Sequence, residues 1–244
     1  MNSSESVELS IVIPAYNEEL RLPPTLRESL EFLRSHPYRW ELLVANDGST
    51  DRTAAVVREF QTIDPRISLL DNSRNVGKGH AVRRGMLAAR GARRLFMDAD
   101  GSTSLSEVTR LMAALDQGAD ISFGSRALES AEVTIDARWY RRYPGRIFNW
   151  CVNNILSLGF ADTQCGFKLF TANAADQVFG KQESLQFGFD LELLYVGQRL
   201  GLKLTEVPVN WRNVPGSKVR VIRDGLRMLQ DAFSIRARHQ SLTR

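Results

Sequence analysis

Arg94-Leu95-Phe96-Met97-Asp98-Ala99-Asp100-Gly101 is a short apolar run that closes on two carboxylates and opens onto polar Ser102 and Thr103. The run reads as a buried strand. Two carboxylates one residue apart at a strand's end offer hard oxygen ligands, which suit Mg²⁺ or Mn²⁺ held against a phosphate. Asp-Ala-Asp-Gly is equally a good turn sequence, so the pair takes its meaning from its neighbours.

Outward from this run, short apolar stretches at 9–13, 42–45, 67–70 and 121–123 alternate with amphipathic ones at 24–33, 51–60, 79–89 and 105–115. That alternation predicts an α/β fold, Rossmann-like, with a mostly parallel central sheet flanked by helices. Ser49-Thr50-Asp51 offers N-cap oxygens, and Ser104 with Glu107 has capping-box spacing. In such sheets ligands sit beyond the carboxyl ends of the strands. The polar segments 14–18, 46–51, 75–79, 98–100 and 124–126 are therefore expected at one edge.

In the second half, helices are expected at 145–158, 172–179, 189–200 and 221–238, with a strand at 204–211 and a loop-like stretch at 128–137. The last helix would place Ile222, Leu226, Leu229 and Phe233 on one face, with Arg223, Arg227 and Arg236 elsewhere. That face suits either the core or a membrane surface.

A chain of 244 residues, 43% hydrophobic and 25% charged, is expected to fold as one soluble domain. The run at 9–13 is too short for a signal peptide. The stretch 147–160 is interrupted by Asn149, Asn153, Asn154 and Ser157 and falls short of a spanning length. Cys151 and Cys165 are too few for a metal framework and are expected to stay thiols, placing the protein on the cytoplasmic side. The net charge of +4 is uneven: from Arg199 onward ten Arg and Lys face three Asp and Glu. Such a run fits an anionic partner or a solvated basic face. Nucleic-acid binding would rest on that charge alone and is not expected.

Residues 75–79 lack the glycine spacing of a dinucleotide fingerprint, and Asn72 stands where a P-loop would begin. Cys and His are badly placed for zinc. A cation would instead be held by carboxylates, substrate phosphates and water, which points to a nucleoside diphosphate.

Ile13-Pro14-Ala15-Tyr16-Asn17-Glu18, Asn46-Asp47-Gly48-Ser49-Thr50-Asp51, Asn75-Val76-Gly77-Lys78-Gly79, Asp98-Ala99-Asp100 and Gly124-Ser125-Arg126 follow, in that order, the motifs of family 2 type glycosyltransferases. The chain resembles that family over nearly its whole length. Asp162-Thr163-Gln164-Cys165-Gly166-Phe167-Lys168-Leu169-Phe170 looks most like the dolichyl-phosphate β-glucosyltransferases among the polyprenyl-phosphate sugar transferases.

The resemblance implies a glycosyltransferase A fold, with a nucleotide-sugar-binding half at about 1–127 and an acceptor- and membrane-facing half at about 128–244. It implies that Pro14, Ala15, Tyr16 and Glu18 line a nucleotide pocket and that Asp47 reads the base edge. On the bland alternative, Pro14 and Tyr16 merely end a strand and residues 48–51 cap a helix. Lys78 would approach the nucleotide or its phosphates. Asp98, Ala99 and Asp100 would hold sugar and metal, with Asp100 the direct ligand and Ser102 nearby. Arg126 would contact the donor or orient the acidic pair, unless it forms an ordinary surface salt bridge. Arg212 and Lys218 match a basic pair that clamps phosphate. Asp162, Lys168 and Asp190 join the substrate set; Glu192 would face the site or sit on a helix surface.

The reaction so implied is an inverting transfer of a hexose, glucose from UDP-glucose, to a polyprenyl phosphate, whose charge removes the need for a general base. GDP-mannose as donor, a saccharide hydroxyl as acceptor and a non-catalytic nucleotide-sugar binder are the alternatives. The Gln-x-x-Arg-Trp segment of many polysaccharide synthases is missing. Trp139, Tyr140, Tyr143, Phe148 and Trp150, interleaved with Arg138, Arg141, Arg142 and Arg146, suit either an interfacial segment or a core helix with a basic lead-in. Without the hydrophobic C-terminal segments of some relatives, membrane attachment is expected to be peripheral or partner-assisted.

Overall fold

A computed structural model describes residues 6–128, 130, 133–136, 139–214 and 221–242, with the side chains of 135–147 and 221–226 outside the description. Strands β1 (Leu9–Ala15), β2 (Trp40–Asn46), β3 (Ile67–Asp71), β4 (Arg93–Met97) and β5 (Ile121–Ser125) alternate with helices α1 (Leu22–Arg34), α2 (Thr53–Ile63), α3 (Lys78–Ala88) and α4 (Val108–Asp116). Then come β6 (Ile135–Asp136), α5 (Trp139–Leu156), β7 (Phe167–Thr171), α6 (Ala172–Lys181), α7 (Phe189–Arg199), β8 (Leu204–Pro208), β9 (Trp211–Arg212) and α8 (Val221–His239).

Seven strands form one sheet in the order β3-β2-β1-β4-β7-β5-β8, and β6 pairs with β9 apart from it. All pairings in the large sheet are parallel except those of β7, which runs antiparallel to both β4 and β5. Both faces are covered. Leu9, Ile11, Ile13, Leu42, Val44, Leu95 and Met97 pack toward α1, α2 and α4, while Val12, Leu43 and Phe96 pack toward α3, α6 and α7. Strands buried on both sides need continuous apolar runs, which is why β1, β2, β4 and β5 stand out in the sequence, while β3 is a half-exposed edge strand. A third cluster joins Phe123, Val152, Leu156, Leu191, Ala232 and Ile235 under α5, α7 and α8.

Several expectations change. Residues 162–170 carried no expected strand, yet β7 lies within the sheet; fully buried Lys168 masks it by interrupting the apolar run. The strand expected at 204–211 splits into β8 and β9, because the segment between them turns aside and the Asn210 side chain donates to Glu107 Oε1 at 2.7 Å. The loop-like stretch at 128–137 contains β6. The capping box does not close: the Ser104 hydroxyl accepts from Ser106 N, while the Glu107 carboxylate binds Asn210 and Arg110. At the start of α2, Asp51 Oδ1 accepts from Thr53 N at 2.9 Å. On α8 the buried line is Met228, Ala232, Ile235 and His239; Leu229 is partly buried and Phe233 is 63% exposed. The side chains of Ile222 and Leu226 lie outside the described residues.

Candidate active site

The carboxyl ends of β1, β2 and β4 lie side by side, and the polar loops that follow them meet there, at the edge of the sheet where ligands bind in open α/β folds. Pro14 and Ala15 end β1 with their side chains buried, and Tyr16 is left partly exposed at the edge. Glu18 is buried and accepts from Arg21 Nε at 2.7 Å and Nη2 at 2.5 Å. Arg21 also lies 3.8 Å from Asp100 Oδ2 through Nη1. Its hydrogen bond to Glu18 and the charges of Glu18, Asp100 and Asp98 hold its pKa above the ordinary value despite burial. Sequence reasoning missed Arg21. The visible signal was its Glu18-x-x-Arg21 spacing at the start of α1.

Asp47 is buried, and its two oxygens accept from Asn72 Nδ2, Asn75 Nδ2, Val76 N and Gly77 N at 2.8–3.1 Å. Four donors fill a carboxylate's acceptor capacity. The structure therefore gives Asp47 the work of shaping the 72–77 loop, where the sequence suggested a base contact. That loop ends in Gly77, whose φ of +135° favours glycine, and delivers Lys78 to the head of α3.

Lys78 Nζ stands 2.6 Å from Asp98 Oδ1. A quarter of its side chain remains accessible, but protein rings its ammonium. Burial alone would lower its pKa; Asp98, then Asp190 and Asp100, more than offset this and raise it. Asp98 also donates its N–H to Gly166 O at 3.0 Å. A Cβ at position 166 would stand 2.3 Å from Asp98 Oδ2, so glycine is what lets the carboxylate lie there. Ala99 is buried, with its carbonyl bound by Thr25 Oγ1 at 2.9 Å. Asp100 Oδ1 accepts from Ser102 N at 3.0 Å, an Asx turn that fixes the carboxylate on its own loop.

Arg126 and Asp162 form a bidentate pair, Nε–Oδ2 at 2.7 Å and Nη2–Oδ1 at 2.9 Å. Burial pushes the Asp162 carboxyl up, but Arg126 holds it at about 2. The Arg126 pKa is raised in return, chiefly by Asp162 working against burial. Burial pushes the neighbouring Cys165 thiol up to about 12. Asp162 is thus engaged structurally, not offered to solvent. Lys168 is likewise covered: fully buried, it pairs with Asp190 and donates to Cys165 O at 2.7 Å. The structure places this pair beneath the site, correcting the expectation of direct substrate contact. Glu192, fully buried, is not a surface acid either.

Arg212 crosses to the acidic loop. Its N–H donates to Ser102 O at 2.9 Å, Nε to Gly101 O at 3.1 Å and Nη2 to Glu28 Oε2 at 3.1 Å, with 61% of the side chain exposed. Lys218 lies outside the described residues. Lys78, Arg21, Arg126 and Arg212 thus gather around the acidic loop that carries Asp98 and Asp100.

Among the described residues no three His, Cys, Asp or Glu side chains converge as a ready-made metal cage. Asp98 and Asp100, 37% and 23% exposed, offer carboxylate oxygens only. That set fits a hard divalent cation completed by substrate phosphates and water.

The sequence profile of glycosyl transferase family 2 matches residues 10–179. The chain belongs to this family. It is 37% identical over 252 residues to the dolichyl-phosphate beta-glucosyltransferase of Drosophila melanogaster, covering 98% of this chain and 77% of that protein. The proteins of the same name from Homo sapiens and Saccharomyces cerevisiae are 34% and 33% identical, each over 95% or more of this chain and 75% or more of their own length. Among solved structures, Mycobacterium tuberculosis glucosyl-3-phosphoglycerate synthase, crystallised with Mn²⁺, UDP and glucosyl-3-phosphoglycerate, superposes with a TM-score of 0.65 at 20% identity over 95% of this chain and 80% of its own. Mannosyl-3-phosphoglycerate synthase from Rubrobacter xylanophilus gives 0.70 at 18% identity, over 97% of this chain and 74% of its own. The fold of this family 2 glycosyltransferase is the glycosyltransferase A fold.

Proposed function

We propose that the chain transfers glucose from UDP-glucose to a dolichyl-type polyprenyl phosphate, with inversion, giving a β-linked lipid-phosphate sugar. The observation that carries this reading is the contact of Asp98 with Gly166. It joins the acidic pair, common to the nucleotide-sugar motifs, to the 162–170 segment that resembles the dolichyl-phosphate β-glucosyltransferases. On this reading residues 1–127 bind the donor and 128–244 face the acceptor and the membrane.

Asp100, with Asp98 beside it and Ser102 fixing its carboxylate, would hold Mg²⁺ or Mn²⁺. When bound, that ion supplies charge stabilisation to the departing nucleoside diphosphate. Lys78 and Arg21 add positive charge on the same side of the crevice. Tyr16 and the backbone at Pro14 and Ala15 edge the nucleotide pocket, and Arg212, with Lys218, clamps phosphate. Arg126 orients the acidic pair through Asp162 and the 162–166 turn. A prenyl phosphate already carries the nucleophilic charge at neutral pH, so no side chain has to remove a proton from it.

Access to a lipid acceptor needs a membrane surface. Among the described residues no helix is long and apolar enough to cross a membrane. Trp150 on α5 and Phe233 on α8 are 67% and 63% exposed, and α8 is rich in arginine. We place the lipid contact on these helices, peripherally and on the cytoplasmic face.

The test is a panel of radiolabelled UDP-glucose, UDP-N-acetylglucosamine and GDP-mannose with a short prenyl phosphate and Mn²⁺ or Mg²⁺, following label into the organic phase. Label from UDP-glucose alone, lost on adding EDTA and in Asp100→Ala, is the expected result. Label from GDP-mannose would move the assignment to a mannosyltransferase. Metal-dependent turnover by Asp100→Ala at the wild-type rate would remove the metal role.

A further inference from the structure

Glu192 is a fully buried carboxylate that the proposed chemistry does not use. Through Oε2 it accepts from Glu183 N at 3.1 Å and Ser184 N at 2.7 Å, in the loop between α6 and α7. Oε1 meets His239 Nε2 at 2.8 Å and lies 3.5 Å from Arg238 Nη1, both at the end of α8. Helix α8 touches the same loop a second time: a Cβ on Gly188 would stand 2.6 Å from Asp231 Oδ2.

The far side of that loop is pressed against the turn that presents Lys78. A Cβ on Gly77 would stand 2.3 Å from Leu185 O, and one on Gly79 would stand 2.4 Å from Ser184 O. His80 N donates to Leu185 O at 3.2 Å, Gln182 Nε2 to Gly79 O at 2.9 Å and Gln186 Nε2 to Val76 O at 3.0 Å. Lys78 is therefore bracketed. Asp47 shapes its turn from one side, and the 182–188 loop closes on it from the other.

We infer that Glu192 is a positioning residue for the transfer, tying α8 to the 182–188 loop and through it setting where Lys78 meets Asp98 and the donor's diphosphate. The inference rests on the proposed site, and it makes the C-terminal helix part of the donor-binding apparatus. Backbone contacts at close range carry the coupling, because a packed turn bounded by carbonyls on one side has little room to adapt.

The test compares wild type, Glu192→Leu, Glu192→Gln, Gln186→Ala, Lys78→Met and the Glu192→Leu/Lys78→Met double variant. Calorimetry measures UDP binding in the presence of Mn²⁺, and hydrogen exchange follows amides 76–80 without nucleotide. Glu192→Leu removes the acceptor of two partly buried amides and is expected to weaken UDP about tenfold and to speed exchange at 76–80. Glu192→Gln keeps an acceptor oxygen and retains most of the affinity. In the Lys78→Met background the Glu192→Leu effect on UDP disappears, as coupled residues require.

Should Glu192→Leu fail to fold, Gln186→Ala, an exposed position, shows a smaller change of the same sign in both readouts. Wild-type-like protection at 76–80 in every folded variant, or full additivity in the double variant, overturns the inference. Accelerated exchange at 76–80 with no UDP binding by the wild type sustains the linkage and counts instead against the proposed donor.

Discussion

A methyl group at position 166 would lie 2.3 Å from Asp98 Oδ2, the end of a side chain that can swing away. Gly166→Ala is therefore expected to melt near the wild-type temperature while losing at least about tenfold in kcat/KM, because displacing the carboxylate costs geometry more than packing. Parallel melts and donor kinetics check this. The Arg126–Asp162 pair carries a pH signature. Its Asp is held at about 2 against an ordinary 3.8, so its stabilisation is present above about pH 4 and is lost as pH falls toward 2. Asp162→Asn should cost on the order of 2 kcal/mol at pH 7, modest for an ion pair because Arg126 is 34% exposed. That gap should close between about pH 4 and 2 in acid-denaturation curves. Asp98, Asp100 and Lys78 stand out in the sequence because each sits in a local motif at a strand or helix end, and their proximity in the fold was legible to that extent. The contact of Arg21 with Asp100 and the partners of Glu192 were not, since both are set by segments distant in sequence that meet in space. Lys168 looked like a ligand because sequence cannot show that the lysine is sealed beside Asp190.

The elements of the first half were legible for a physical reason: strands buried on both faces are written as unbroken apolar runs, and the helices between them as amphipathic ones. Where that reason fails, so did the expectation. β7 carries a buried lysine, and β9 is two residues long and pairs with β6 apart from the large sheet. On α8 the apolar residues outnumber what one face can bury, so the stripe through Leu229 and Phe233 gave way to Met228, Ala232 and Ile235, leaving Phe233 in solvent. The proposed lipid contact rests on exposed Phe233 and Trp150 together with the arginines of α8. Flotation with vesicles containing anionic lipid should carry the protein upward at low salt. Phe233→Ser with Trp150→Ser should reduce the bound fraction severalfold, and raising ionic strength should weaken what remains. Unchanged flotation of the double variant would place the lipid contact elsewhere.

At the scale of the whole molecule, Lys168 is a fully sealed charge: it sits on β7 opposite Phe96 of β4 and Phe123 of β5 and reaches Asp190 on α7. Lys168→Met alone strands that carboxylate and should cost about 3–5 kcal/mol in chemical denaturation. Adding Asp190→Leu should recover most of the loss, since an apolar pair of similar volume often replaces a buried ion pair at little cost. The antiparallel β7 also dictates an order of assembly. β3, β2, β1 and β4 bond to one another using residues up to Met97 alone, whereas β5 has only β7 and β8 as neighbours. As the chain leaves the ribosome, a four-strand platform is complete while β5 waits for Phe167–Thr171 to arrive and bridge it. Until then β4 presents an open edge, and the acidic pair at its tip lacks the glycine it rests on. The acidic site is thus a late product of synthesis, and a chain stalled before β7 would expose a sticky strand with that site unfinished.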